Sequence, residues 1–346
     1  MNTGKKIVSA AVFLALMALT FYVIFKNQDI SEVIEAIKQM DKGYLALAIG
    51  IALFFVSAEG ILFWYLYRSV GEKVGFLSCI KYAFVGFFFC GITPSASGGQ
   101  PMQLYYMRKD GRSTANSTVA LLSAAAAYKL VLVLMGIGIC LFWWNPLKGY
   151  LEGFLPLYIL GIFLNAGLVA VLLIIILNAS GLERFLCAAE RFLVKIRLMK
   201  PSEKRRESIH DMVTQYQETV TFLKTHLKVV AFLLIITFIQ RCSVFGLTWL
   251  IYKGMGLAGT DAFTIMALQA VVYISVDMLP LPGSQGITEI MYAAVFNKIF
   301  LGNTLTISMC VTRGINFYML IIISAVVAVY CWWSAGRKKK KLQQER

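Results

Sequence analysis

The chain is dominated by long apolar runs separated by short polar stretches. A helix needs ~20 consecutive apolar residues to cross the ~30 Å of hydrocarbon in a bilayer. Six runs meet this requirement, at 7–25, 44–67, 118–144, 156–177, 229–252 and 305–333. The pattern therefore predicts an integral membrane protein that spans the bilayer about six times.

Two further apolar stretches are interrupted before they could cross. The stretch that begins at 76 ends in a Gly- and Pro-containing sequence at 91–101, and the stretch that begins at 262 ends in a similar one at 280–289. Proline removes a helical hydrogen bond and glycine raises the entropy cost of a helix, so we expect both helices to break there. The sequence predicts two re-entrant helix hairpins, at 76–113 and 262–301.

The distribution of basic residues predicts the orientation of the chain. Basic residues in short loops stay in the cytoplasm; Lys5 and Lys6 precede the first span, and 337–341 forms a basic tail after the last one. Both termini are therefore predicted inside, and span, hairpin and span at 44–144 repeat upside down at 229–333. We predict an all-α polytopic fold with an inverted repeat, N-in and C-in, in a bacterial cell membrane.

The predicted organisation is two membrane halves, 1–177 and 229–346, joined by a cytoplasmic linker at 178–228. Within the linker, apolar residues recur at helical spacing at 182–196, which favours an amphipathic helix on the inner leaflet. A solvated connector explains the same charges equally well. Similar spacing at 29–40 predicts a short amphipathic helix on the outer surface.

Composition, charge and motifs limit the partners, cofactors and enzyme activities to be expected. The net charge is +15, but the basic residues cluster at helix ends and in loops, so we expect anionic inner-leaflet lipids as partners and no nucleic acid. Seven cysteines without a CxxC, and only His210 and His226, indicate neither a disulfide framework nor a metal site, and we expect no cofactor. The sequence contains no G-x-S-x-G, Walker or H-E-x-x-H motif, so we expect no soluble-type enzyme activity.

Ionisable residues in or beside the apolar segments indicate a polar cavity. Each costs ~2.5–3.5 kcal/mol at a helix centre on insertion scales. They are Glu59, Lys81, Lys129, Arg241, Asp277, Glu289 and Arg313. An internal ion pair, such as Glu59 with Lys129, would explain any one of them structurally. As a set beside two broken helices, they predict a cavity for a headgroup with an anionic phosphate.

Each predicted break also starts a new half-helix, whose free N–H groups and dipole favour an anion. Pro101 suits the first turn of one half-helix, and Thr288 suits the cap of the other. The residues expected to contact a phosphate at the two starts are Gly98, Gly99, Gln100, Gly286 and Glu289. Alternatively, the glycines only allow helices to pack closely.

The interrupted sequences at 92–101 and 279–289 resemble those of the lysylphosphatidylglycerol synthase transmembrane family. This is the flippase-like membrane region of the multiple peptide resistance factor, and the resemblance covers nearly the whole chain. It implies that Glu289 and Arg313 occupy the acidic and basic positions that follow the second motif. Bifunctional relatives add a soluble domain that transfers lysine to phosphatidylglycerol, and the linker of about fifty residues is too short to house one.

The leading hypothesis is a flippase for a phospholipid or aminoacyl-phospholipid headgroup. A membrane-embedded transferase with Glu289 or Asp277 as general base is an alternative. A third hypothesis is an accessory subunit that docks a separate soluble synthase through the linker. A homodimer also stays open as an assembly.

Overall fold

The computed structural model describes residues 30–93, 96–151, 153–178, 181, 203–279 and 286–344. Within these ranges every regular element is a helix, which confirms the predicted all-α class. The predicted first span at 7–25 and the predicted amphipathic helix at 182–196 lie outside the described residues.

The helices follow one another with short connections. The first part of the chain contains α1 (Ile30–Gln39), α2 (Lys42–Ser69), α3 (Phe76–Ile92), α4 (Gly99–Lys109), α5 (Thr114–Phe142), α6 (Trp144–Leu151) and α7 (Leu155–Leu177). The second part contains α8 (Glu203–Thr225), α9 (Leu227–Gly254), α10 (Ala262–Val276), α11 (Ile287–Phe296), α12 (Asn303–Arg313), a π-helix (Gly314–Met319) and α13 (Leu320–Gln344).

Five helices in the described part of the chain are long and apolar enough to cross a membrane. They are α2, α5, α7, α9 and the continuous helical segment Asn303–Ser334, and they correspond to five of the six predicted spans. The chain is therefore a multi-pass membrane protein. Within α7 only a small share of the residues is buried by the protein itself, as expected for a helix that faces lipid.

Both predicted helix breaks are present. The first lies between α3 and α4, and the second between α10 and α11. With 17 and 15 residues, α3 and α10 are too short to cross a bilayer alone. Asp110, at the end of α4, contacts Lys81 of α3, whereas Gln103, earlier in α4, lies beside Gly86, which is later in α3. The helix α4 therefore runs antiparallel to α3. The re-entry of these hairpins into a bilayer stays a prediction.

The two halves of the fold interlock. The first spans, α2 and α9, pack along each other, α3 of the first hairpin packs against α13, and α10 of the second hairpin packs against α5 and α7. Each hairpin therefore contacts the closing spans of the other half. The inverted repeat and its orientation in a membrane stay predictions.

Small residues permit the closest of these contacts. At Gly161 of α7, an added Cβ would lie 2.3 Å from the backbone oxygen of Ile274 in α10. At Gly60 of α2, it would lie 2.7 Å from the Cα of Ile80 in α3. Backbone-to-backbone packing of this kind is typical of membrane helices, whose association gains little from the hydrophobic effect.

Two polar helices flank the spans. The predicted amphipathic helix at 29–40 is α1, which packs on α12. Within the predicted linker, α8 packs on α5 through one face that buries Val213, Tyr216, Val220 and Leu223. Since α8 leads into α9 through His226 alone, it joins the two halves directly.

Candidate functional site

Polar side chains from both halves meet in the interior around Arg241 of α9. We call this group the central cluster; its members are Glu59, Gln103, Tyr128, Lys129, Arg241 and Asp277. They are carried by α2, α4, α5, α9 and the residue that ends α10. The structure therefore brings together four of the ionisable residues predicted to line a cavity: Glu59, Lys129, Arg241 and Asp277.

The central cluster contains one buried ion pair, between Lys129 and Asp277. Lys129 contacts Oδ2 of Asp277, and the Tyr128 hydroxyl donates a hydrogen bond to Oδ1 of the same carboxylate. Asp277 sits at the second helix break, so the pair ties α5 of the first half to the hairpin of the second. The sequence suggested Glu59 as a partner for Lys129; the structure pairs Lys129 with Asp277 instead.

Arg241 is 6% exposed and stacks between two aromatic rings. Its guanidinium carbon lies 4.6 Å from the ring centre of Phe55 and 4.3 Å from that of Tyr128. Its Nε makes no hydrogen bond, and no carboxylate of the described residues lies within ion-pair distance of it. A buried charge without a counter-ion is costly. An anion that reached this guanidinium would therefore be strongly stabilised.

Glu59 is the acidic member nearest to Arg241, close enough for the arginine's charge to act on it. Its Oε1 accepts a hydrogen bond of 3.0 Å from Nε2 of Gln103. Gln103 is 2% exposed, and its amide occupies the space beside Gly86, where an added Cβ would lie 2.0 Å from Nε2. A side chain at position 86 would therefore prevent Gln103 from reaching Glu59, and glycine leaves the space open.

A second ion pair joins Glu289 to Arg313. The arginine Nε donates to Oε1 of Glu289 at 2.9 Å, while the buried Oε2 accepts no hydrogen bond among the described residues. Glu289 lies in the first turn of α11, and Arg313 ends α12, immediately before the π-helix. The two positions that the resemblance singled out are therefore in direct contact. π-Helical turns are frequent at functional sites.

A row of aromatic rings connects this second pair to the central cluster. Arg313 lies over the ring of Phe317 at 5.0 Å, and that ring lies 6.5 Å from Phe87. Phe87 in turn lies 6.3 Å from Phe55, on which Arg241 stacks. The two arginines thus occupy the ends of one aromatic row, whose ring faces attract cations.

Lys81 lies apart from the central cluster. Its ammonium pairs with Asp110 at 2.5 Å, and Tyr82 donates to the same carboxylate. Cys90, which is within electrostatic range of Glu59 and Lys129, is nine residues further along α3, about 13 Å by the helical rise. The structure therefore places Lys81 near the open end of the first hairpin.

The start of α4 is closely packed. Gly98 is the N-cap, and its N–H donates to the Thr93 hydroxyl at 2.9 Å. An added Cβ at Gly99 would lie 2.2 Å from the Cys90 sulfur, so this glycine permits the hairpin to close. Gln100 is exposed, and Pro101 lies in the first helical turn as predicted. The packing alternative therefore holds for Gly98 and Gly99, and a phosphate contact there stays a prediction.

The start of α11 differs from the predicted one. The cap is Gly286, with a φ of 80°, and Thr288 is the second residue of the helix. The prediction of Thr288 as the cap was wrong, because the chain enters α11 through a left-handed conformation that favours glycine. Gly286 and Glu289 both lie at this start, and an anion contact there stays a prediction.

Sequence reasoning missed the uncharged members of the site. Gln103 and Tyr128 were not predicted, nor was Gln240, whose amide donates to the Phe55 carbonyl at 2.6 Å and fixes α9 on α2. An amide side chain within an apolar helix would have been the signal for Gln240, whereas Gln103 lies on the polar helix α4 and has no such signal. Nothing comparable in the sequence marks Phe55 as a residue on which Arg241 stacks. In the described ranges no group of three or more His, Cys, Asp or Glu is arranged to hold a metal ion.

Comparison with known proteins gives a consistent result. The sequence model of the family described as Lysylphosphatidylglycerol synthase TM region matches residues 6–324. A UPF0104 membrane protein of Pyrococcus horikoshii is 22% identical over 304 residues, which cover 84% of this chain and 88% of that protein. A UPF0104 membrane protein of Archaeoglobus fulgidus is 22% identical over 264 residues, 73% of this chain and 76% of that protein. Because these relatives are archaeal, a bacterial source stays a prediction.

Proposed function

Since the chain belongs to the lysylphosphatidylglycerol synthase TM-region family, we propose that it moves the headgroup of a phospholipid or aminoacyl-phospholipid between the leaflets. The family ties the chain to membrane lipids; translocation is the step that we add. In this proposal the headgroup enters the central cluster from between the two halves, while the acyl chains stay in the bilayer.

The observation that supports the proposal is that the buried Arg241 has no carboxylate partner among the described residues. A guanidinium this deeply buried is ordinarily paired with a carboxylate, because desolvation without a partner costs several kcal/mol. Among the described residues Arg241 stacks on two aromatic rings and has no carboxylate within ion-pair distance, although Glu59 lies nearby. A lipid phosphate is the anion most available within a bilayer, and guanidinium binds phosphate through two parallel hydrogen bonds.

The position of Arg241 also suits translocation. It lies on α9, against α2 of the other half, so a bound phosphate would lie between the two halves. Non-helical backbone at membrane depth must be buried in protein or line a wet cavity. The helix break at Asp277 adjoins the same cluster and lets polar atoms collect there.

The transferase alternative gains no support from the site. Both carboxylates that it would use as a general base hold a cation: Asp277 holds Lys129, and Glu289 holds Arg313. Docking of a separate synthase on the linker remains a prediction.

The test is a leaflet-exchange assay with the full chain in phospholipid vesicles. Phosphatidylglycerol with a nitrobenzoxadiazole label on one acyl chain reports leaflet exchange, because dithionite quenches only the outer leaflet. We expect the wild type to raise the quenched fraction above that of protein-free vesicles, and Arg241→Gln to abolish the increase. Wild-type vesicles that match protein-free ones, or an Arg241→Gln variant as active as wild type, would contradict the proposal.

The matched control is Arg68→Gln. Arg68 also stacks on an aromatic ring, that of Trp64 at 5.1 Å, but it is exposed at the end of α2. The same loss of charge there should leave leaflet exchange unchanged.

A further inference from the structure

We propose that Gln103 is a positioning residue that holds the Glu59 carboxylate away from Arg241 and so keeps the guanidinium available to an anionic headgroup. This inference rests on the proposed function, because it concerns the anion site at Arg241. It assigns a role to the first hairpin, which delivers Gln103 to the site.

Glu59 has the means to neutralise Arg241. On α2 it follows Phe55 by one helical turn, and side chains four residues apart lie about 5–6 Å from each other at Cβ. Arg241 stacks on that Phe55 ring, so Glu59 and the guanidinium are neighbours on one face. The arginine's charge acts on Glu59, yet the two side chains form no ion pair.

Gln103 accounts for the separation. Its Nε2 donates to Oε1 of Glu59, and the amide itself is buried in the space beside Gly86. Because Gly86 lies on α3 and Gln103 on α4, this arrangement requires the first hairpin to be closed. The carboxylate is therefore held by the hairpin rather than by the arginine.

Removing the amide should release Glu59. A buried carboxylate that loses its hydrogen bond is stabilised by another donor, and Arg241, which has no carboxylate partner in the described part of the chain, is close enough to act on it. The resulting pair would compete with a phosphate for the same guanidinium. Gln103 would then influence anion affinity without touching the anion.

The experiment measures binding of the labelled phosphatidylglycerol to full-length protein in detergent micelles, by fluorescence titration. We expect Arg241→Gln to lose the saturable binding. Gln103→Ala should weaken it by about tenfold, which corresponds to one competing interaction of roughly 1.4 kcal/mol. Glu59→Gln combined with Gln103→Ala should restore it to within about threefold of wild type, because a neutral amide cannot pair with Arg241.

Gly86→Ala should also separate the Gln103 amide from Glu59. Its methyl group would occupy the position of the Gln103 amide, so it should weaken binding like Gln103→Ala. In the Gln103→Ala background it should add no further effect. Gly138→Ala on α5, where nothing lies within 4 Å of the added Cβ, is the matched control and should bind as wild type.

The outcomes separate the two claims. If Gln103→Ala binds like wild type while Arg241→Gln does not bind, the inference is wrong and the proposed function stands. If Gln103→Ala binds weakly and the Glu59→Gln change fails to rescue it, Gln103 acts only by supporting the hairpin, and the inference is again overturned. If Arg241→Gln binds as tightly as wild type, the proposed function itself fails.

Discussion

Two arginines at the ends of one aromatic row have different surroundings. Arg241 lies between the rings of Phe55 and Tyr128 with no carboxylate bound to it in the described ranges, whereas Arg313 stacks on Phe317 and is paired with Glu289. Stacking is common to both, so stacking alone does not distinguish a binding site. The counter-ion does distinguish one, because a guanidinium that is paired with a carboxylate is already bound to an anion. We therefore propose substrate binding for Arg241 and a supporting role for Arg313.

The largest effect should come from breaking the second pair. Glu289→Gln leaves the half-buried Arg313 with a neutral partner; breaking a fully buried ion pair from one side costs about 3–5 kcal/mol, and the lower end applies to this pair. We expect the free energy of unfolding in detergent to fall by about 3 kcal/mol. Glu218→Gln, on the exposed face of α8, should leave it unchanged. Equal stabilities of the two variants would mean that the pair does not support the fold.

The opposite result is expected at Arg241. Arg241→Gln removes a buried charge that has no carboxylate partner in the described structure, so stability should stay within about 1 kcal/mol of wild type or rise. Thermal unfolding of the purified variant measures this. A loss as large as that of Glu289→Gln would show that Arg241 supports the fold, and the comparison between the two arginines would fail.

An effect smaller than that of Glu289→Gln should follow from removing the ring beneath Arg313. Phe317→Leu keeps an apolar side chain but removes the ring face that attracts the guanidinium at 5.0 Å. We expect a loss of about 1–2 kcal/mol in unfolding free energy. Phe142→Leu, at an exposed position at the end of α5, is the control and should be neutral. If both substitutions are neutral, the aromatic row contributes no stability at this end.

The smallest effect concerns a carboxylate outside the spans. Hydrogen bonds from the Thr264 backbone N–H and hydroxyl hold the pKa of Asp261 below its usual value, where it caps α10. The stabilisation is therefore present above the unfolded pKa of ~3.9 and is lost as pH falls through the lower folded value. Thermal stability of the wild type should drop slightly below about pH 4 relative to Asp261→Asn. Parallel pH curves would contradict this.

The spans and helix breaks could be predicted because their causes are local. The length of an apolar run decides whether a helix can cross, and proline and glycine decide where α3 and α10 end. Such signals predicted five described spans and both breaks. The position of Gly286 as the cap of α11 escaped prediction, since it depends on a backbone conformation rather than on a side chain.

The pairing of charges could not be predicted, because it depends on which distant helices come together. Lys129 and Asp277 are 148 residues apart, and nothing near either one favours this partner over Glu59. Lys81 met the same sequence criterion as Lys129, which is a charge in or beside an apolar segment, yet its position on α3 places it beside Asp110. The criterion identified buried charge correctly, but it could not separate the central cluster from the open end of the hairpin.

The π-helix at Gly314–Met319 sets the rotation of the last span about its axis. The i→i+5 bonding of a π-helix accommodates about one residue more than an α-helix in the same total rotation, and one residue corresponds to about 100° in an α-helix. A substitution that returned these six residues to regular α-helix without removing one would therefore rotate α13 by about that angle relative to α12. Ile321, whose tip fills the space beside Gly91 of α3, would then face elsewhere. The contact between the last span and the first hairpin thus depends on this local hydrogen-bonding pattern.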